Sequence, residues 1–293
     1  MAILKQGVVS DKGFLLLTGG VGTGKTTLIN VIAKSLDIPG YICMISNPTL
    51  GSDDFFFYFA AQLGLLFDGN KAKFFVLFSK LLEECKKSRR KVLLIIDEAH
   101  ALPTDLLEEM RLLVNMAVEV KNVLSIFLVG QPELLERLAE KQLSPISQRI
   151  AVRYHLDQLS KADALQYVLF RLKRAGAGKY KIFSEEALGL IYEATRGNPR
   201  QINTLCDNAL FAAYSKERLA VDEKVIRECI EKLYILGDDS TFCLPTRKTL
   251  WQNWMVRSVL GIVLLEGAAA VYALHRGWLQ PIYQYLKRFL NIG

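Results

Sequence analysis

Eight consecutive residues, Gly19-Gly20-Val21-Gly22-Thr23-Gly24-Lys25-Thr26, fit the spacing GxxxxGK[ST]. Glycines at these positions let successive backbone N–H groups turn inward around phosphate oxygens, and the helix that follows adds the positive end of its dipole. In such a loop Lys25 reaches β- and γ-phosphates and the Thr26 hydroxyl holds Mg2+, with Thr27 closing the stretch set against the nucleotide. A glycine-rich turn without a ligand is the competing reading. The apolar run before the loop and the helical pattern after it decide against that.

Further along, Val92-Leu-Leu-Ile-Ile-Asp97-Glu98 is an apolar run closed by two acids. Parallel sheets gather ligands at the carboxyl ends of their strands. At such an end Asp97 can complete an Mg2+ shell while Glu98 polarises an attacking water. Taken alone, the run is an ordinary strand end. Beside a phosphate loop it points to ATP hydrolysis, since the second acid has no role in binding alone.

Four further residues carry two readings each. His100 completes Asp-Glu-Ala-His, as in one helicase class, yet no second motor domain follows, and a core or capping histidine is the plainer account. Gln131, in Val129-Gly-Gln-Pro, ends a strand and can sense the γ-phosphate, or it is a turn residue before Pro132. Arg149, in Ser-Gln-Arg-Ile, can project toward a neighbouring subunit's nucleotide. Such fingers accelerate hydrolysis by about 10³–10⁵ in GTPases; the other reading is a surface arginine. Arg200, in Gly197-Asn-Pro-Arg, can reach the phosphates from a helix start or simply be solvated there.

The elements that must hold these residues alternate. Gly13–Thr18 reads as a strand and Leu28–Leu36 as a helix. Strand signals recur at Tyr41–Ile45, Lys91–Ile96, Val123–Val129 and Ile150–Leu156. Helical spacing separates them at Phe55–Leu66, Phe74–Lys86, Leu106–Val118 and Glu133–Lys141. Unbroken apolar strands suit a sheet covered on both faces, so the pattern predicts a doubly wound α/β domain over residues 1–158 with a parallel sheet. After Leu159 only helices follow: Lys161–Arg174, Glu185–Thr195, Pro199–Tyr214 and Asp222–Tyr234. Ser160, Ser184 and Asp222 stand at their starts as caps. Residues 159–236 therefore form an all-helical lid, and 237–255 a linker.

The 293 residues carry a net charge of +7 and are 51% hydrophobic. The charge alone does not separate a nucleic-acid or lipid surface from a soluble protein. The five cysteines lie far apart without a CxxC, and three histidines supply no zinc cluster, so reduced, buried thiols are expected. Ser258–Leu274 (SVLGIVLLEGAAAVYAL) is flanked by Trp251, Trp254 and Trp278. Its Leu, Ile and Val residues contribute roughly −2.4 to −4.8 kcal/mol to insertion and Glu266 opposes by about +3 kcal/mol. The expectation is one membrane helix over 256–274 with a short tail, 275–293; a buried or interfacial helix is the alternative. Within it Glu266 marks a helix–helix contact, because intramembrane acids face partners. Basic residues do not orient the span, but ATP is available only in the cytoplasm, so the motor lies inside.

These motifs together resemble the ExeA/GspA family of general secretion pathway AAA+ ATPases, with the MSHA-pilus and exosortase-locus ATPases as siblings. The matching blocks include Asn47-Pro-Thr-Leu, Arg90–Ala99, Leu106–Asn115, Val129–Leu134, Gln148-Arg-Ile and Gly197–Asp207, and the likeness covers residues 7–235. The resemblance implies a P-loop AAA+ fold using ATP and Mg2+. It gives Lys25, Thr26, Asp97 and Glu98 to nucleotide, metal and hydrolysis. Gln131 becomes the first sensor, Arg149 the finger and Arg200 the second sensor. It also implies a homo-oligomer in the bacterial inner membrane, with a membrane-protein partner, that places the outer-membrane secretin. The family's longer N-terminal lead and periplasmic peptidoglycan-binding domain are not matched here, which leaves the adenine pocket and cell-wall binding outside the expectation. Two other classes stand beside this one. A DNA-transaction ATPase related to transposition regulators has no need of Ser258–Leu274, and no basic recognition helix stands out. A scaffold that binds ATP without turnover has no need of Glu98.

Overall fold

Three strands of this chain carry almost nothing but apolar side chains, and those three form the middle of its sheet. The structure, a computed structural model, describes residues 4, 6–7, 13–36, 39–46, 51–119, 123–177 and 181–235. Within them the strands are β1 (Phe14–Gly19), β2 (Gly40–Ile45), β3 (Lys91–Ile96), β4 (Leu124–Gly130) and β5 (Ile150–Leu156). They pair in the order β2-β3-β4-β1-β5, and every pair is parallel. A parallel sheet needs crossovers, which α1 (Lys25–Ser35), α2 (Ser52–Leu63), α3 (Lys71–Lys87), α4 (Thr104–Glu119), α5 (Glu133–Ala139) and the one-turn α6 (Ser144–Ser147) provide.

Alternate strand residues feed two different cores. Leu15, Leu17, Leu93, Ile95, Phe127 and Val129 face one side with Ile29 and Ile32 of α1. Phe14, Leu16, Leu94, Ile96, Ile126 and Leu128 face the other, against α2 to α5. This explains the unbroken apolar runs: neither face of the middle strands meets water. The second core is built on phenylalanines, with Phe59, Phe74 and Phe78 wholly buried. The Phe74 and Phe78 rings stack at 5.6 Å between centroids, and Phe59 lies 5.4 Å from Phe78. The four described cysteines are free and buried, and burial pushes the Cys43 and Cys206 thiols up to about 12, which removes them as nucleophiles.

Beyond the sheet, α7 (Lys161–Arg174), α8 (Glu185–Thr195), α9 (Pro199–Ser215) and α10 (Glu223–Ile235) share their own core around Ile191, Ile202, Leu205 and Ile226. Ser160 caps α7 through the Asp163 amide, Ser184 caps α8 through Ala187, and the Asp222 carboxylate accepts from Val225. The same compact unit contains sheet and helices. Boundaries differ from the sequence expectation at α2, which runs three residues earlier than Phe55–Leu66 at both ends, at α3, which starts three residues before Phe74, and at α1. The α1 helix begins at Lys25 rather than Leu28, because Gly24 turns left-handed at φ 96 and starts the helix inside the loop. The expected linker, membrane helix and tail, residues 237–293, lie outside the described residues. Among the described residues no helix is long and apolar enough to cross a membrane.

Truncating Phe59 to alanine removes a wholly buried ring from the phenylalanine core. The expected cost is about 3–5 kcal/mol, read as a lower midpoint of denaturant unfolding.

Candidate nucleotide site

The phosphate loop joins β1 to α1, and its shape follows from its glycines. Gly22 and Gly24 take φ 76 and 96, values that side chains disfavour. Lys25 is 5% exposed, and its Nζ donates to the carbonyls of Gly19 and Gly20, each at 3.0 Å. The loop thus wraps around a buried ammonium. Thr26 Oγ1 donates to Asp97 Oδ2 at 2.6 Å, across from the end of β3. Asp97 is itself 3% exposed, and its Oδ1 accepts from the Glu98 amide at 2.9 Å. A hydroxyl and a carboxylate converging beside a lysine-centred loop form an oxygen donor pair that fits Mg2+ bound with a nucleotide's phosphates.

Glu98 breaks the strand. Its backbone adopts φ 52, a conformation that costs a non-glycine residue about 1–2 kcal/mol, and its Oε2 is buried without a hydrogen-bond partner. Strain and an orphaned carboxylate oxygen on one residue are the pattern of a functional position, since packing would otherwise remove both. The next turn, Ala99–Ala101, brings His100 over the end of β4. There Gln131 directly follows β4, the strand between β3 and β1, so the sheet order itself puts this glutamine between the acidic pair and the phosphate loop. Gln131 Nε2 lies 3.0 Å from His100 Nε2.

Arg149 and Arg200 stand apart from that cluster in different ways. Arg149 precedes Ile150, whose partner is Phe14 at the far end of β1 from the loop. Five residues of strand amount to about 16 Å, so Arg149 is beyond reach of its own chain's phosphate loop. It donates to Asn115 Oδ1 on α4. Arg200 opens α9 directly on the loop. A Cβ on Gly22 would lie 2.7 Å from Arg200 Cβ and 2.7 Å from Asn198 Oδ1. Arg200 N donates to Gly22 O at 3.3 Å, and Asn198 Nδ2 donates to Val21 O at 2.8 Å.

Two residues unassigned by sequence reasoning emerge here. His100 was read as a core or capping residue, and the structure sets it between Glu98 and Gln131. Asn198 caps α9 with its Oδ1 while its Nδ2 holds the phosphate loop. The cap was legible in Asn-Pro-Arg, where Pro199 at the first helical position marks a helix start. The second bond joins residues 177 positions apart and was not.

Fold and site define a P-loop ATPase of the AAA class. Residues 8–138 match the AAA domain family. The chain is 34% identical over 268 residues to general secretion pathway protein A of Aeromonas hydrophila, an alignment over 90% of this chain and 47% of that protein. This bears out the resemblance read from the motifs; the chain spans about half the length of that relative. Among solved structures, ORC2 of Aeropyrum pernix in ADPNP and ADP complexes superposes with a TM-score of 0.59 at 18% identity, over 79% of this chain and 65% of that one. The RuvB Holliday junction branch migration motor of Thermotoga maritima gives 0.53 at 22%, over 82% and 68%. At these identities the likeness is one of fold.

Replacing Asn198 with alanine removes both the α9 cap and the bond to Val21 O. The expected loss is about 1–3 kcal/mol of stability together with weaker binding of a fluorescent ATP analogue. Asn198→Asp, which keeps the cap but sets a carboxylate oxygen against Val21 O, should recover only part of the stability and none of the affinity.

Proposed function

We propose that this chain is the ATP-hydrolysing motor of a secretion or type IV pilus-like apparatus, tethered to the inner membrane and coupling turnover to assembly of an envelope complex that includes the secretin. The observation that carries the secretion reading is the identity with general secretion pathway protein A, which runs through the sheet and the helical part alike. The tether rests on Ser258–Leu274 and its flanking tryptophans. With ATP on the cytoplasmic side, the ATPase domain faces the cytoplasm. A DNA-transaction role finds only a shared fold in its favour.

Each site residue has a part in this reading. Backbone amides of Gly19 to Thr27 and the Lys25 ammonium bind the β- and γ-phosphates. Thr26 and Asp97 would hold Mg2+, which when bound neutralises phosphate charge and orients the γ-phosphoryl group. Glu98 accepts a proton from the attacking water as it adds to the γ-phosphorus, and Gln131 contacts the γ-phosphate. Arg200, already on the loop, reports phosphate occupancy to the helical part. Arg149 serves a neighbour's nucleotide in a homo-oligomer, since it is out of reach of its own.

Lys25→Ala is expected to abolish ATP binding, while Glu98→Gln keeps binding and loses turnover; wild-type turnover in Glu98→Gln contradicts the catalytic assignment. Specific ATPase activity should rise with protein concentration, and Arg149→Ala should remove that rise with the ATP dissociation constant unchanged. Activity independent of concentration in the intact chain leaves Arg149 a surface residue.

A further inference from the structure

Between α3 and β3 the chain reads Lys86-Lys87-Ser88-Arg89-Arg90-Lys91, with five basic residues in six positions. Lys86, Lys87, Arg89 and Arg90 are exposed. Among the described residues no carboxylate forms an ion pair with any of these four, and the acids nearest in sequence, Glu83 and Glu84, stand earlier on α3. The tip is held fast. Lys91 N donates to Pro39 O at 2.9 Å, and a Cβ on Gly40 would stand 1.9 Å from Lys91 O. Arg90 Nε donates to Ser88 Oγ at 2.9 Å, and its guanidinium lies over the Tyr41 ring, 6.0 Å from the centroid.

Cations suit the negative end of a helix dipole, but that field acts within the last turn. It accounts for Lys86 and Lys87 and leaves Arg89 and Arg90 unexplained. The helix closes by two bonds, Arg90 N to Cys85 O at 2.8 Å and Arg89 N to Lys86 O at 3.3 Å. That closure needs a left-handed residue at position 89, where Arg89 takes φ 53 and glycine is the usual occupant. Glu217 follows the end of α9 with a similar backbone, so the strain by itself assigns nothing. The unpaired charge does. Among the described residues the Arg89 side chain has no partner, so neither packing nor hydrogen bonding holds an arginine there.

We propose that this tip is a docking surface for the anionic headgroups of a membrane. It rests on the tether read from Ser258–Leu274, from which 20 residues, 236–255, separate the end of α10; at full extension they reach at most about 70 Å. The domain therefore stays within range of the leaflet, where each Lys or Arg strengthens association about fivefold. A single-stranded nucleic acid would call for exposed rings on which bases stack, and the ring at this tip, Tyr41, is covered by Arg90. The tip precedes β3, whereas the phosphate loop follows β1, so the two lie at opposite ends of a parallel sheet. Docking by the tip turns the nucleotide site away from the bilayer.

Lysine acetylation of the full chain in nanodiscs, read residue by residue by mass spectrometry, tests this. Nanodiscs of phosphatidylcholine are compared with nanodiscs that also contain phosphatidylglycerol. Phosphatidylglycerol should slow acetylation of Lys86 and Lys87 about tenfold, leave Lys141 and Lys161 unchanged, and lose its effect at about 0.5 M NaCl. Arg89→Gly removes one charge while giving the helix end its preferred residue. It should cut the protection to about threefold without lowering the melting temperature. Equal rates in the two nanodiscs, slowing that survives high salt, slowing shared by Lys141 and Lys161, or protection by duplex DNA with none by phosphatidylglycerol overturns the proposal. Release of the full chain from membranes by alkaline carbonate sinks the tether alone. The same chain is then mixed with vesicles of the two compositions, where slowed acetylation of Lys86 and Lys87 by phosphatidylglycerol still supports docking and equal rates overturn it.

Discussion

A 2.8 Å hydrogen bond from Asn198 Nδ2 to the carbonyl of Val21 ties the helical part of this protein to its phosphate loop. A backbone carbonyl in a turn this tight has no partner within the loop itself, and it is a strong acceptor. Here the partner stands 177 positions further along the chain, seconded by the Arg200 amide on Gly22 O. Two glycines make the approach possible. Gly22 leaves room for Arg200 and Asn198, and Gly197, at φ 81, lies so close to Leu159 that a Cβ would sit 2.0 Å from its carbonyl oxygen. Leu159 is where the chain leaves the sheet, and its amide donates back to Gly197 O. The entry to the helical part, the start of α9 and the phosphate loop are thus one hydrogen-bonded junction. Whatever rearranges the loop carbonyls must disturb the first turn of α9.

The sheet supplies the rigid side of that junction. Because β4 lies between β3 and β1, its end delivers Gln131 between the acids and the loop without any long connection. Burial on both faces keeps these three strand ends in register, so Thr26 and Asp97 meet at 2.6 Å although 71 positions separate them. The strained backbone at Glu98 is tolerated against this scaffold. It sends the acid and His100 away from the strand line and toward β4.

Most of this architecture was legible from residues. The middle strands announced themselves as apolar runs because both faces are buried, and β3, β5, α7 and α8 begin and end where periodicity and capping serines put them. Periodicity failed where conformation is set by single glycines or short turns. Gly24 starts α1 three residues ahead of its apolar face, and the turns Ala99–Ala101 and Ser144–Ser147 are too short to show a period. The phosphate loop and acidic pair were readable because their chemistry is local in sequence. The partners of His100, Asn198 and Arg149 were not, because each is fixed by the order of strands or by the junction between sheet and helices. Arg149 against Asn115 is such a case: the two meet only because α4 and the start of β5 are brought together at the end of the sheet away from the loop.

Hydrogen–deuterium exchange of the full chain with and without ATP and Mg2+ addresses that junction most directly. If loop and helical part are joined as described, nucleotide should slow exchange at residues 21–27 and at residues 199–204 together, with the more distant α10 little changed. Slower exchange at the loop with residues 199–204 unaffected would contradict the account.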